Sequence, residues 1–112
     1  MTNDETSILV QAHILMLEGT DPAVDRIVKE DGRVRMIIVF VPEPSAVAPV
    51  AVDLVDTAGV ELIELDGGLG PAWAANVIEA TGGRIPVGSV MFGAESLVGA
   101  ASYGARYEAQ RP

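Results

Sequence analysis

The chain contains no cysteine among its 112 residues. Disulfides, thiolate nucleophiles and cysteine-ligated metals are thereby excluded. A single histidine leaves a zinc site without its usual donors. Aromatic residues make up only 4% of the chain, so any core is built from Val, Ile, Leu, Ala and Met. Basic residues are scarce as well: 7 Lys and Arg stand against 16 Asp and Glu, for a formal net charge of −9. Such a surface repels phosphate backbones and anionic headgroups, which argues against nucleic acid and membrane as partners. No apolar run approaches the roughly 20 residues of a membrane span. Near Met1 the stretch MTNDETS is polar and acidic, so no signal peptide is expected. A soluble, cytoplasmic protein is the expectation.

What is present is a globular composition. Hydrophobic residues account for 49% and charged residues for 21%, and the length suits one α/β domain over residues 1–112. Strand-like and helix-like segments alternate along it. Residues 7–17, SILVQAHILML, are apolar and rich in β-branched side chains. Asp21-Pro22 then reads as a helix cap followed by proline at the first helical position, with DPAVDRIVKEDG ending at Gly32. RVRMIIVFVP, residues 33–42, is a continuous apolar run of the kind buried on both faces of a parallel sheet. A helix from about Ser45 to Ala58 follows, ending at Gly59, with Pro49 in its first turn.

VELIELD, residues 60–66, is the third predicted strand, and GGLGP leads into a helix over residues 72–81. RIPVGSVMFG, residues 84–93, is the fourth strand, followed by a helix from Ala94 to about Ala109. The order βαβαβαβα implies a four-stranded parallel sheet joined by right-handed crossovers. Two architectures satisfy it: an open Rossmann- or flavodoxin-like sandwich with helices on both faces, or a (βα)4 half-barrel completed by pairing. Open edge strands or an incomplete barrel would both favour a homodimer.

Parallel α/β folds bind ligands at the carboxyl ends of their strands. That rule selects the loops holding Glu18, Glu43, Asp66 and Glu95. Glu64 is the sharpest candidate. Strand alternation places Val60, Leu62, Glu64 and Asp66 on one face, so an acid interrupts an apolar strand. If buried, its neutral form is favoured and it suits general acid or base work. Otherwise it is a structural carboxylate. Asp66 can brace the glycine turn that follows it. In that turn, Gly67, Gly68 and Gly70 permit close backbone approach, and Pro71 opens a helix whose first amides could face an anion. The loop has no Lys or Arg and matches neither the Walker nor the dinucleotide spacing.

His13 falls in mid-strand and reads as a structural histidine, although a half-barrel would turn it inward. An oxygen-ligand Mg²⁺ site from Glu64, Asp66 and Glu95 has no motif behind it. Neither Ser89 nor Ser96 lies in a GxSxG elbow. At the start of the last helix, Glu95 is explained by the helix dipole. Tyr103 and Tyr107, four apart on one helix face, suit packing or a dimer surface.

The stretch from VELIELDGGLGP to RIPVGSVMFGAES resembles a bacterial family of single-domain proteins, the domain-of-unknown-function family numbered 6506. Its carrying residues are Glu64-Leu65, Gly67-Gly68, Gly70-Pro71, Pro86-Val87-Gly88 and Gly93-Ala94-Glu95-Ser96. The resemblance implies the same strand–helix order and groups Glu64, the glycine loop and Gly93–Ser96 as one region. It implies no activity.

Two functions follow as expectations. The first is a small cofactor-independent enzyme of isomerase, lyase or cyclase type, acting on an organic metabolite. Glu64, Asp66 and Glu95 would do the acid–base work, with Gly67, Gly68, Gly70, Gly93, Ser96 and Glu18 binding the ligand. The alternative is a non-catalytic small-anion-binding or dimeric assembly module. A nucleotide or phosphosugar binder rests on fold analogy alone, and the base-free loops weigh against it.

Overall fold

The computed structural model describes residues 7–111. The polar start, residues 1–6, on which the absence of a signal peptide was argued, lies outside the described residues. The elements in chain order are strands β1 (Leu9–Met16), β2 (Arg26–Glu30) and β3 (Val34–Val41), helix α1 (Val47–Ala58), strand β4 (Leu62–Asp66), helix α2 (Pro71–Ala80), strand β5 (Val87–Ser89) and helix α3 (Leu97–Ala109). Single 3₁₀ turns, Pro44–Ala46 and Ala94–Ser96, lead into α1 and α3.

The sheet has five strands in the order β2-β3-β1-β4-β5. Strands β3, β1, β4 and β5 pair in parallel, while β2 pairs antiparallel to β3. This corrects the expected four-stranded parallel sheet. It is an open sheet with β2 and β5 at its edges, not a half-barrel.

The difference arises in residues 21–32, expected as a helix. The local signals there are real but stop after one turn. Asp21 Oδ1 accepts the Ala23 N–H, and the Asp21 carbonyl accepts from Val24 and Asp25. Beyond that turn, Ile27 and Val28 lie opposite Ile38 and Ile37 of β3. The edge of β3 offers a ladder and β-branched neighbours, and that non-local pairing outweighs a weak helical pattern. Asp31-Gly32 then closes a hairpin, with Asp31 Oδ1 accepting the N–H groups of Arg33 and Val34 and Gly32 at φ 90°. Asp-Gly between two β-branched runs is itself a hairpin signal, here read instead as a helix end.

Elsewhere the expected segments form, with trimmed ends. Pro49 sits in the first turn of α1, where no intrahelical donor is lost, and Gly59 closes the helix in the left-handed region. The fourth strand contracts to three residues, with the Pro86 carbonyl and the Val90 N–H still bonded to Ile63 and Leu65 of β4 at its two ends.

One face of the sheet carries the core. Ala12, Ile14, Ile37, Val39, Ile63 and Leu65 alternate along β1, β3 and β4 and are buried beneath Val47, Ala51 and Leu54 of α1 and Ala74 and Val77 of α2. Each large apolar side chain buried there contributes roughly 1.5–3 kcal/mol. Among the described residues the opposite face carries no helix, which corrects the expectation of helices on both faces. Its side chains, among them Leu15, Met36, Ile38, Phe40 and Leu62, are only partly covered. The reason is topological. Crossovers of one hand put helices on opposite faces when they step in opposite directions along a sheet. The steps from β3 to β4 and from β4 to β5 run one way and place α1 and α2 together. The step from β1 to β3 runs the other way, and there the chain supplies β2 instead of a helix. No residue of α3 is buried.

Candidate functional site

The open face gathers the polar side chains that interrupt the apolar strands. Gln11 and His13 are two apart on β1 and so point the same way. In the parallel register His13 lies between Ile38 of β3 and Glu64 of β4, and Glu64 lies beside Gly88 of β5. A row Ile38–His13–Glu64–Gly88 thus crosses the uncovered face.

His13 Nδ1 stands 3.6 Å from Glu64 Oε1. At that separation the two groups face each other without a hydrogen bond, and they form an ion pair only when the imidazole is protonated. On its other side, His13 Nε2 is 2.8 Å from the Gln11 side-chain nitrogen. With the Gln11 amide donating, Nε2 accepts and the ring proton sits on Nδ1, facing the Glu64 carboxylate. His13 is 23% exposed and Glu64 52% exposed at the side chain. Glu64 is therefore not the buried acid that its apolar strand suggested, because the face on which it lies has no cover. Beyond Glu64, the backbone of Gly88 forms a floor: nothing lies within 4 Å of where a Cβ would stand. The carboxylate is approachable from that side.

The strand-end acids are engaged within the chain, Glu18 by the C-terminal segment and Glu43 and Asp66 by their own loops. Glu18 accepts from the Tyr107 hydroxyl at 3.0 Å and from Arg111 at 3.3 Å, on the rim of a shallow cleft of about 190 Å³. This bond to an anionic acceptor holds the Tyr107 phenol above its ordinary range. Glu43 accepts from Ser45. Asp66 Oδ1 accepts the Gly67 N–H at 2.7 Å, the bracing role described for it above. The Glu95 carboxylate folds back over Gly93, where an added Cβ would meet Oε1 at 2.7 Å. Among the described residues, no three His, Asp or Glu side chains gather within reach of one metal ion.

The glycine loop is shaped by packing. Gly67 has φ 71°, and a Cβ on it would stand 2.8 Å from the Met16 nitrogen and 2.9 Å from the Met16 carbonyl oxygen. The loop crosses the end of β1 so closely that only glycine fits. Leu69 plugs the core beneath it. Because the Gly67 amide donates to Asp66, it is occupied within the protein. Gly70 caps α2, and its carbonyl accepts from Trp73 and Ala74. Ser96 caps α3 without a side-chain bond, its N–H donating to the Gly93 carbonyl.

Sequence reasoning had placed Glu64 but not its neighbours. His13 and Gln11 left a usable signal: polar residues at alternate positions between Val10, Ala12 and Ile14 mark a second, solvent-facing side of the strand. Gly88 left none, since its place beside Glu64 depends on register.

The model of a family of unknown function, DUF6506, matches residues 9–105. No curated protein and no solved structure matches the chain. Among the described residues, no helix is long and apolar enough to cross a membrane.

Proposed function

The chain belongs to this family of unknown function, and from its open sheet face we propose a small enzyme that moves a proton on an organic metabolite, in a reaction of isomerase, lyase or cyclase type. The observation that carries the reading is the His13–Glu64 pair, side by side on a face that the fold leaves bare. Glu64 meets the substrate over the Gly88 floor and takes or returns the proton. His13 is the positioning residue behind it. Its Nδ1 proton steadies the carboxylate charge, and Gln11 fixes the ring. The transfer uses side chains alone and calls on no cofactor. Asp66 and Glu95 then shape the neighbouring loops, Glu18 anchors α3, and homodimerisation in the cytoplasm belongs to the same reading.

The test is proton exchange at carbon. Pools of small carbonyl acids and hydroxy acids are incubated with the protein in D₂O and followed by NMR. Wild-type protein should wash deuterium into one substrate class. Glu64→Gln should slow that exchange by about 10²–10⁴-fold, the usual scale of general acid–base catalysis. Gly88→Leu should block it by filling the floor. Exchange that survives Glu64→Gln, or that no pool supports, sinks the proposal.

A second reading, a non-catalytic assembly module, is favoured by α3, a helix that exposes Leu97, Val98, Tyr103 and Tyr107 and buries no residue. On that reading the His13–Glu64 pair only fixes the register of a contact, and its substitution alters assembly without any exchange activity.

A further inference from the structure

The topology leaves one helix position empty and one helix unused. The bare face is the one that the step from β1 to β3 would have covered, had residues 21–32 formed a helix. The unused helix is α3. Val98 is 84% exposed and Tyr103 70%, and the segment leading to it exposes Met91 at 73% and Phe92 at 60%. Leu97, Val98, Tyr103 and Tyr107 give the helix an apolar surface that stays exposed, beside the polar Ser102, Arg106 and Glu108. Within its own chain it is held at the far end, where Tyr107 of its last turn and Arg111 just beyond it reach Glu18 beyond the end of β1.

We propose that α3 of a second copy of this chain lies across the open face, that the exchange is reciprocal, and that the partner helix forms the roof of the His13–Glu64 site. Three observations select a second copy as the occupant. The deficit and the surplus are one helix each, so two chains related by a two-fold axis satisfy both at once. The charges are compatible: the open face presents Glu64 and Asp66, and α3 carries Arg106, its one acid, Glu108, being paired with Arg111. The third is area. A helix of this length is about 20 Å long and 10 Å across, a footprint of roughly 200 Å². Each chain both gives and receives one, so the helix contacts alone cover roughly 400 Å² per chain, about half of the roughly 800 Å² of a standard interface, and the exposed Met91 and Phe92 beside the helix add to it.

The roof changes the chemistry beneath it. An exposed carboxylate and imidazole become enclosed together, water is displaced, and a substrate held over Gly88 has a wall on its fourth side. This last step rests on the acid–base reading above; the interface does not.

The experiment uses the full chain. Light scattering and sedimentation should give a dimer for the wild type. The double variant Val98→Asp/Tyr103→Asp, which alters only exposed side chains, should be monomeric with an unchanged far-ultraviolet circular dichroism spectrum. The absence of cysteine permits a direct check of placement. Chains carrying Val98→Cys are mixed with chains carrying Ile38→Cys and treated with a bis-maleimide. The mixed adduct should form, and replacing Ile38→Cys by Thr57→Cys, on the outer side of α1, should abolish it. A monomeric wild type at high micromolar concentration overturns the proposal. So does a dimer that survives the double aspartate variant, or a Val98→Cys/Ile38→Cys chain that links only within itself. Glu64→Gln should leave the dimer intact. A dimer without deuterium exchange rejects the acid–base reading alone, whereas exchange by a monomer rejects the roof alone.

Discussion

The two faces of the sheet are made by the same strands and have opposite fates. Ala12, Ile14, Val39, Ile63 and Leu65 are fully buried beneath α1 and α2. One residue along each strand, Gln11, His13, Ile38, Leu62 and Glu64 look out from the other side and stay partly or largely accessible. The buried part of the covered face is apolar, with small to medium side chains, and along β1, β3 and β4 only Arg35 at its edge carries a charge, paired with Glu30. The open face mixes apolar residues with an imidazole, an amide and a carboxylate. Polar groups are tolerated where desolvation is incomplete, and the incomplete cover traces to one missing crossover helix.

The largest expected effect separates the faces by stability. Leu65→Ala on the covered face should cost about 2–5 kcal/mol in denaturant unfolding, as for a fully buried leucine. Leu62→Ala, three residues earlier on the open face, should cost less than about half of that at low protein concentration. If the partner helix covers Leu62, its cost should grow as concentration rises. Equal costs for the two leucines in dilute protein would erase the distinction between the faces.

A smaller contrast lies in the loop that joins β4 to α2. Gly67→Ala combines a left-handed φ with a clash against the Met16 backbone and should destabilise by roughly 2–4 kcal/mol. Gly68→Ala, also left-handed but with open space around it, should cost only about 1–2 kcal/mol. Thermal unfolding of the two variants gives the order. Smaller still is Gly88→Leu on the open face, where no left-handed backbone and no close neighbour intervene. It should stay within about 0.5 kcal/mol of wild type while removing the proposed exchange activity. A large loss of stability would show that the Gly88 floor is packed after all.

The smallest effect is titrational and concerns the tether of α3. The Tyr107 phenol is raised by its bond to Glu18. A raised folded value means that its contribution to stability is complete below the ordinary phenol range and is lost as pH rises through the folded value. In a Tyr103→Phe background only Tyr107 reports. Its ultraviolet titration should lie above that of free tyrosine and fall back in Glu18→Gln. The opposite sign applies at the hairpin. Asp31 is lowered by the N–H groups of Arg33 and Val34, so its contribution is present above the ordinary carboxylate value and fades as pH falls through the folded one. Identical Tyr107 titrations with and without Glu18 would remove the tether from the account.

Much of the fold was legible. Runs such as MIIVFV and LIELD announced parallel strands, although MIIVFV, read as buried on both faces, is buried on only one, and Pro71 and Gly59 marked a helix start and a helix end. The segment DPAVDRIVKEDG was misread because its Asp-Pro start and its apolar spacing satisfy a helix locally. Only the neighbouring edge of β3 makes strand the better state for Ile27 and Val28. Of the candidate site, Glu64 stood out as an acid in an apolar strand, and Asp66 as the brace of a turn. His13 was set aside because the ligand-binding rule looks to strand ends, whereas this site lies in mid-sheet on a face that the rule assumes to be covered.

The sequence by itself determined the class of the protein: no thiol chemistry, an acidic surface, and alternating strands and helices whose periodicity is local and readable along the chain. Tertiary structure alone decided which strands became neighbours, that residues 26–30 joined the sheet, and that one face stayed bare. Register brings His13 beside Glu64 and Gly88 beyond it, and register is a relation between segments far apart in the chain, fixed when their shared apolar face is buried.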